Sequence, residues 1–73
     1  MSKNEVIEVK MMLSVKIKEL RTSKHYTQEE FAEIIGVDVS TVCKWETAVR
    51  VPRLSQLYKI ANLVGCPVSF FLM

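Results

Sequence analysis

Glycine and proline are scarce in this chain of 73 residues, two of each, so a disordered tail or a low-complexity linker is excluded. Cysteine is scarce too. Cys43 and Cys66 have no histidine beside them with which to build a zinc site, and a reducing cytosol would leave both as thiols. His25 is the single histidine, and no serine or acid is placed to use it as a base. No internal repeat is present. No apolar run approaches the length of a membrane span, and Met1 to Glu5 lacks the apolar core of a signal peptide, so a cytoplasmic protein is expected. A nucleophile paired with a base, a metal cluster and a phosphate-cradling glycine loop are all missing, which argues against an enzyme and against a metal or cofactor. What the chain does have is apolar residues, 49% of the total. That is enough for one small core of marginal stability, which association with a second copy would help.

The pattern is sharpest from Thr27 to Glu46. Thr27 followed by Glu30 three residues on is a capping box, in which hydroxyl and carboxylate satisfy free backbone amides reciprocally, so a helix is expected to start there. Phe31, Ile34 and Ile35 recur at helical spacing, with Ala32 on the same inner arc, where a small side chain lets two helices cross closely. Gly36 accepts the left-handed conformation that ends helices, and Asp38 restarts the chain as the next N-cap. In the following helix Val42 and Trp45 face inward, leaving Val39, Ser40, Thr41, Cys43 and Lys44 on the outer arc. Any two amphipathic helices joined at a glycine make a helical hairpin. Spacing alone therefore leaves open both a plain hairpin and a surface whose exposed, short side chains at a positive helix end suit the major groove of DNA.

The residues from Leu13 to Leu72 resemble the Cro/CI-type, or XRE-family, helix-turn-helix domain. The resemblance rests on Ile17-Lys18-Glu19-Leu20-Arg21, Thr27-Gln28-Glu29-Glu30-Phe31-Ala32, Gly36-Val37, Ser40-Thr41-Val42, Lys44-Trp45-Glu46, and Pro52 ahead of a helix ending Ala61-Asn62-Leu63-Val64-Gly65. It implies an all-α fold, a five-helix lambda-repressor-like domain with the helix-turn-helix at helices 2 and 3, occupying residues 13–73. It further implies sequence-specific binding of double-stranded DNA by a transcriptional regulator, a repressor acting as a homodimer on an inverted-repeat operator. The alternative function is a protein-interaction module, such as the antitoxin of a toxin-antitoxin pair or an adaptor for another regulator.

Residue roles follow from the same resemblance. Val39 and Ser40 match base-reading positions, valine by apolar contact with a thymine methyl and serine by hydrogen bonding. Lys44, one turn on, would donate to guanine or hold a phosphate. Thr27, Gln28, Thr41, Arg50 and Arg53 fall at positions suited to the DNA backbone. Arg21 and Glu46 match an arginine and a glutamate that many family members pair for structure. Charge is spread to fit a few placed contacts: Lys16, Lys18, Arg21 and Lys24 against Glu19 give +3, Glu29, Glu30 and Glu33 give −3, and the net of +2 is too small for binding by charge alone.

Three departures stand out. Thr47-Ala48-Val49 occupies a turn where relatives often have glycine, so a differently shaped loop is expected. Arg53 replaces the usual serine or aspartate cap before the fourth helix. The last helix, Pro67 to Leu72, carries Ser69-Phe70-Phe71-Leu72 in place of acidic residues, which makes Phe70 and Phe71 a candidate dimer surface, with one of them expected to fill the core. Residues 1–12 form an arm outside the resemblance. Ile7, Val9, Met11, Leu13 alternate as in a strand, while Val6, Val9, Leu13, Ile17 fit a helix, so an extra helical turn, a short strand or a disordered start all remain open.

Overall fold

The computed structural model describes residues 2–72. In order, it contains α1 (Lys3–Ser23), α2 (Gln28–Ile35), α3 (Val39–Glu46), α4 (Leu54–Val64) and a short 3-10 helix (Val68–Leu72). The all-α class stands. The expected fifth α-helix is instead this 3-10 segment, closed from Phe70 N–H to Pro67 C=O at 3.0 Å, a three-residue step.

α1 is the longest element. Ser2 caps it by accepting from Glu5 N–H at 3.2 Å, and the helix runs 21 residues without a break. At 1.5 Å per residue that is about 31 Å, close to the full 34 Å length of the molecule. Its C-terminal half turns Leu13, Ser14 and Ile17 into the core, and the buried Ser14 hydroxyl is satisfied by the Met11 carbonyl at 2.8 Å. In the N-terminal half Val6, Ile7, Val9 and Met11 remain exposed. Val6 and Val9 continue the stripe of Leu13 and Ile17, while Ile7 and Met11 lie on another face.

α2 starts at the Thr27 capping box. Thr27 Oγ1 accepts from Glu30 N–H at 3.1 Å and Glu30 Oε1 from Thr27 N–H at 2.9 Å. Those bonds to Thr27 hold the Glu30 carboxyl below its ordinary range. Phe31, Ala32 and Ile35 are buried. Ile34, expected with them, is half exposed. The buried arc is centred on Ile35 and reaches Phe31 on one side and Ala32 on the other, which leaves Ile34 about 100° away from its middle. Gly36 closes the helix at φ +87°, its N–H bonded to Ala32 C=O at 2.8 Å.

Val42 and Trp45 bring α3 across α2, and Leu57, Ile60 and Ala61 bring in α4. Asp38 stands at the N-cap of α3, but its carboxylate makes no capping bond; its backbone carbonyl accepts from Thr41 N–H at 3.0 Å. At α4 the cap comes from inside the helix: Gln56 Oε1 accepts from Arg53 N–H at 2.8 Å, so the arginine at the N-cap position is tolerated.

The turn after α3 keeps a left-handed residue without a glycine. Ala48 adopts φ +63°, a conformation that costs a residue with a Cβ about 1–2 kcal/mol. Ala48→Gly is therefore expected to stabilise the domain by about 0.5–1 kcal/mol after the greater unfolded-state freedom of glycine is counted. An unchanged or lowered urea midpoint would show that the turn is not strained.

Candidate nucleic-acid interface

α2 and α3 meet through Phe31, Ala32, Val42 and Trp45, all buried, around the turn that Gly36 opens. This packing fixes which face of α3 is free. Val39, Ser40, Cys43 and Lys44 are exposed, and Ser40 and Lys44 are one turn apart on that face. Cys43 shares the face as a free thiol.

Thr41 behaves differently from its neighbours. Half-buried, it lines a recess of about 350 Å³ with Asp38, Trp45, Arg50, Arg53 and Gln56. The recess thus gathers three residues expected at the DNA backbone, Thr41, Arg50 and Arg53, from α3, its following loop and the start of α4. Asp38 lines the same recess, a placement that its role as an N-cap does not suggest; as a carboxylate it moderates the positive field of the two arginines.

Gln28 and Thr27 sit at the N-terminus of α2, away from the recess. Thr27 has its backbone N–H and its hydroxyl oxygen engaged in the capping box, so only the hydroxyl proton remains to donate. Gln28 Nε2 donates to Glu46 Oε1 at 3.1 Å. Glu46, the last residue of α3, also takes both arms of Arg21: Nε to Oε2 at 2.6 Å and Nη2 to Oε1 at 2.9 Å. The third arm, Nη1, donates to Tyr26 C=O at 2.7 Å. The bond from Glu46 raises the Arg21 guanidinium above its ordinary value; burial opposes this, and the charges of Glu46 and Glu29 add to it. One arginine thereby ties α1, the entry to α2 and the end of α3 together. The Gln28–Glu46 bond has no signature in the sequence, because 18 residues separate the partners and no helical period links them.

Phe70 and Phe71 do not form a common surface. Phe71, expected with Phe70 at a dimer surface, is 1% exposed and belongs to the core. In a 3-10 helix residues three apart share a side, so Phe71 turns inward with Val68, while Phe70 packs against the edge of the core. Phe70 is half-buried beneath Lys16, whose ammonium lies 4.8 Å from the ring centre and donates to Phe70 C=O at 2.6 Å. Among the described residues no helix is long and apolar enough to cross a membrane, and no group of three or more histidine, cysteine or acidic residues is placed to hold a metal.

Known proteins share this arrangement. The helix-turn-helix family profile matches residues 17–71. The cryptic phage CTXphi transcriptional repressor RstR of Vibrio cholerae is 36% identical over 58 residues, covering 80% of this chain and 52% of RstR. The SPbeta prophage-derived uncharacterized HTH-type transcriptional regulator YonR of Bacillus subtilis is 33% identical over 61 residues, 84% of this chain and 56% of YonR. The chain spans about half the length of these two relatives. Among solved structures, the hypothetical transcription factor NHTF from Neisseria superposes with a TM-score of 0.80 at 26% identity, over 89% of this chain and 75% of that one. An HTH_3 family transcriptional regulator from Vibrio cholerae shares the fold, with a TM-score of 0.80 over 92% of this chain and 38% of that one, at 24% identity.

Proposed function

The chain belongs to the XRE-type helix-turn-helix family, and from that membership we propose that it binds double-stranded DNA sequence-specifically as a transcriptional repressor. The observation that carries the reading is the free face of α3, where Ser40 and Lys44 stand outward on a helix that Val42 and Trp45 fix against α2. The repressor sense draws on the RstR relative. The binding unit is residues 13–73, and residues 1–12 are an arm that carries α1 beyond it.

In this reading α3 enters the major groove. Val39 meets a thymine methyl, Ser40 a base edge, and Lys44 a guanine or the neighbouring phosphate. Thr27 and Gln28 hold the backbone at one end of the helix pair, and Thr41, Arg50 and Arg53 hold it at the recess. So few cationic contacts per subunit favour a homodimer, with two α3 helices about 34 Å apart on an inverted repeat. Such a protein works where the DNA is, in the cytoplasm, and needs no catalysis.

The test is operator binding. The purified chain is expected to bind DNA upstream of its own gene with affinity that falls steeply as salt rises. Replacing both Ser40 and Lys44 with alanine is expected to remove about 1–3 kcal/mol of specific affinity for each base that is no longer read, at unchanged helical content. Equal affinity of the double variant for operator and scrambled DNA, matched by the same lack of preference in the parent protein, would sink the sequence-specific reading.

A further inference from the structure

Glu46 decides which end of the Gln28 amide can meet a ligand. Its carboxylate receives two donors from Arg21 and one from Gln28 Nε2, and an ionised carboxylate only accepts hydrogen bonds. Gln28 must therefore turn its NH2, not its carbonyl, toward Glu46. An unheld glutamine presents either end. The NH2 group carries two hydrogens, so one binds Glu46 and the second remains available at the first residue of α2, where backbone N–H groups lack partners within the helix. Arg21 steadies the same point from the other side, because it also binds the carbonyl of Tyr26, two residues before Gln28.

We propose that Glu46 is a positioning residue for DNA, holding the Gln28 amide with its N–H toward a backbone phosphate. The role rests on the DNA-binding reading above. Arg21 holds Glu46 in place through two hydrogen bonds, so the contact on α2 depends on the pair joining α1 to α3. The helix-turn-helix crossing and the phosphate contact are then set by one carboxylate.

The experiment is a double-mutant cycle on the full chain with its upstream DNA duplex, using Gln28→Ala, Glu46→Gln and the two together. Glutamine at 46 still accepts from Arg21 but no longer dictates the direction of the Gln28 amide. Gln28→Ala is expected to weaken binding about tenfold and Glu46→Gln several-fold. The double variant is expected to bind no worse than Gln28→Ala alone, because Glu46 acts through Gln28. Costs that multiply would overturn the proposal, since a purely structural Glu46 weakens binding whatever stands at 28. A second readout uses the unaltered protein and does not depend on any variant folding. By NMR, one Gln28 side-chain amide hydrogen is expected to be shifted by Glu46 in the free protein, and the other is expected to move when DNA is added. If neither responds to DNA that the protein demonstrably binds, the role of Glu46 is overturned while the function stands. If the unaltered protein binds no DNA, the function itself fails.

Discussion

Arg21→Ala is expected to lower the unfolding free energy by about 3–5 kcal/mol, the loss typical when one member of a buried ion pair is removed. The Glu46 side chain is only 3% exposed and that of Arg21 11%. Without the arginine, Glu46 keeps a single weak donor, the Gln28 amide, in a site closed to water. Tyr26 C=O loses its donor in the same step. A domain of this size holds about 4–11 kcal/mol in total, so the loss is a large share of it, and at the lower end of that range the variant is partly unfolded at ambient temperature. Its loss of DNA binding would then follow from loss of fold. Urea denaturation followed by circular dichroism measures this directly. A cost below about 1 kcal/mol would mean that the pair behaves as a solvated surface bridge.

The same pair predicts its own rescue. Replacing Arg21 by methionine together with Glu46 by leucine removes both charges at once, and apolar side chains of similar volume are expected to recover most of the lost stability. DNA affinity is expected to return only to within several-fold of the parent, because Gln28 would still lack the acceptor that directs its amide. The pH dependence has a defined sign. The Arg21 value is raised in the folded protein, so its contribution is complete below the ordinary arginine value and is lost only as pH rises through the higher folded one. The arginine side of the bridge is therefore not a switch near neutral pH.

Elements whose causes are local are legible in the residues. The Thr27–Glu30 box, Gly36, and the inward Val42 and Trp45 act over three or four residues, so spacing suffices to place α2, α3 and the face between them. Spacing also sends Ile34 inward, because two neighbouring arcs fit the same period, and only the position of α3 and α4 chooses between them. Ala48 shows the opposite limit: its Cβ argues for a reshaped loop, but it takes φ +63° in a turn that Val49 N–H closes onto Lys44 C=O at 2.9 Å. The N-terminal half of α1 satisfies both strand and helix periods. Its structure follows from continuity with Leu13 and Ile17, which anchor the helix further along. The Gln28–Glu46 bond and the recess shared by Asp38, Thr41, Arg50 and Arg53 are products of the tertiary crossing. No pattern along the chain encodes them.

Phe71→Ala is expected to cost about 3–5 kcal/mol, and Phe70→Ala clearly less, although the two are adjacent in a segment where sequence alone does not say which faces inward. Phe71 is among the largest fully buried side chains and packs in the cluster that holds Leu57 and Ile60. Its removal leaves a cavity where α4 meets the 3-10 helix. That helix is five residues long, too short to hold its shape without the anchor. Phe70 contributes an edge-to-face contact with Phe71, ring centres 5.7 Å apart, and a cation–π contact with Lys16. Each is worth about 0.5–1.5 kcal/mol. The Lys16 bond to the Phe70 carbonyl survives either substitution, because it uses the backbone. Urea midpoints of the two variants, measured side by side, decide the matter. If Phe70→Ala proved the costlier, the 3-10 helix would have to be turned by one residue, with Phe70 in the core and Phe71 restored to the surface. The ordering expected here makes the C-terminal segment a plug for the core. A dimer contact at this end would then have to be built on residues other than Phe71.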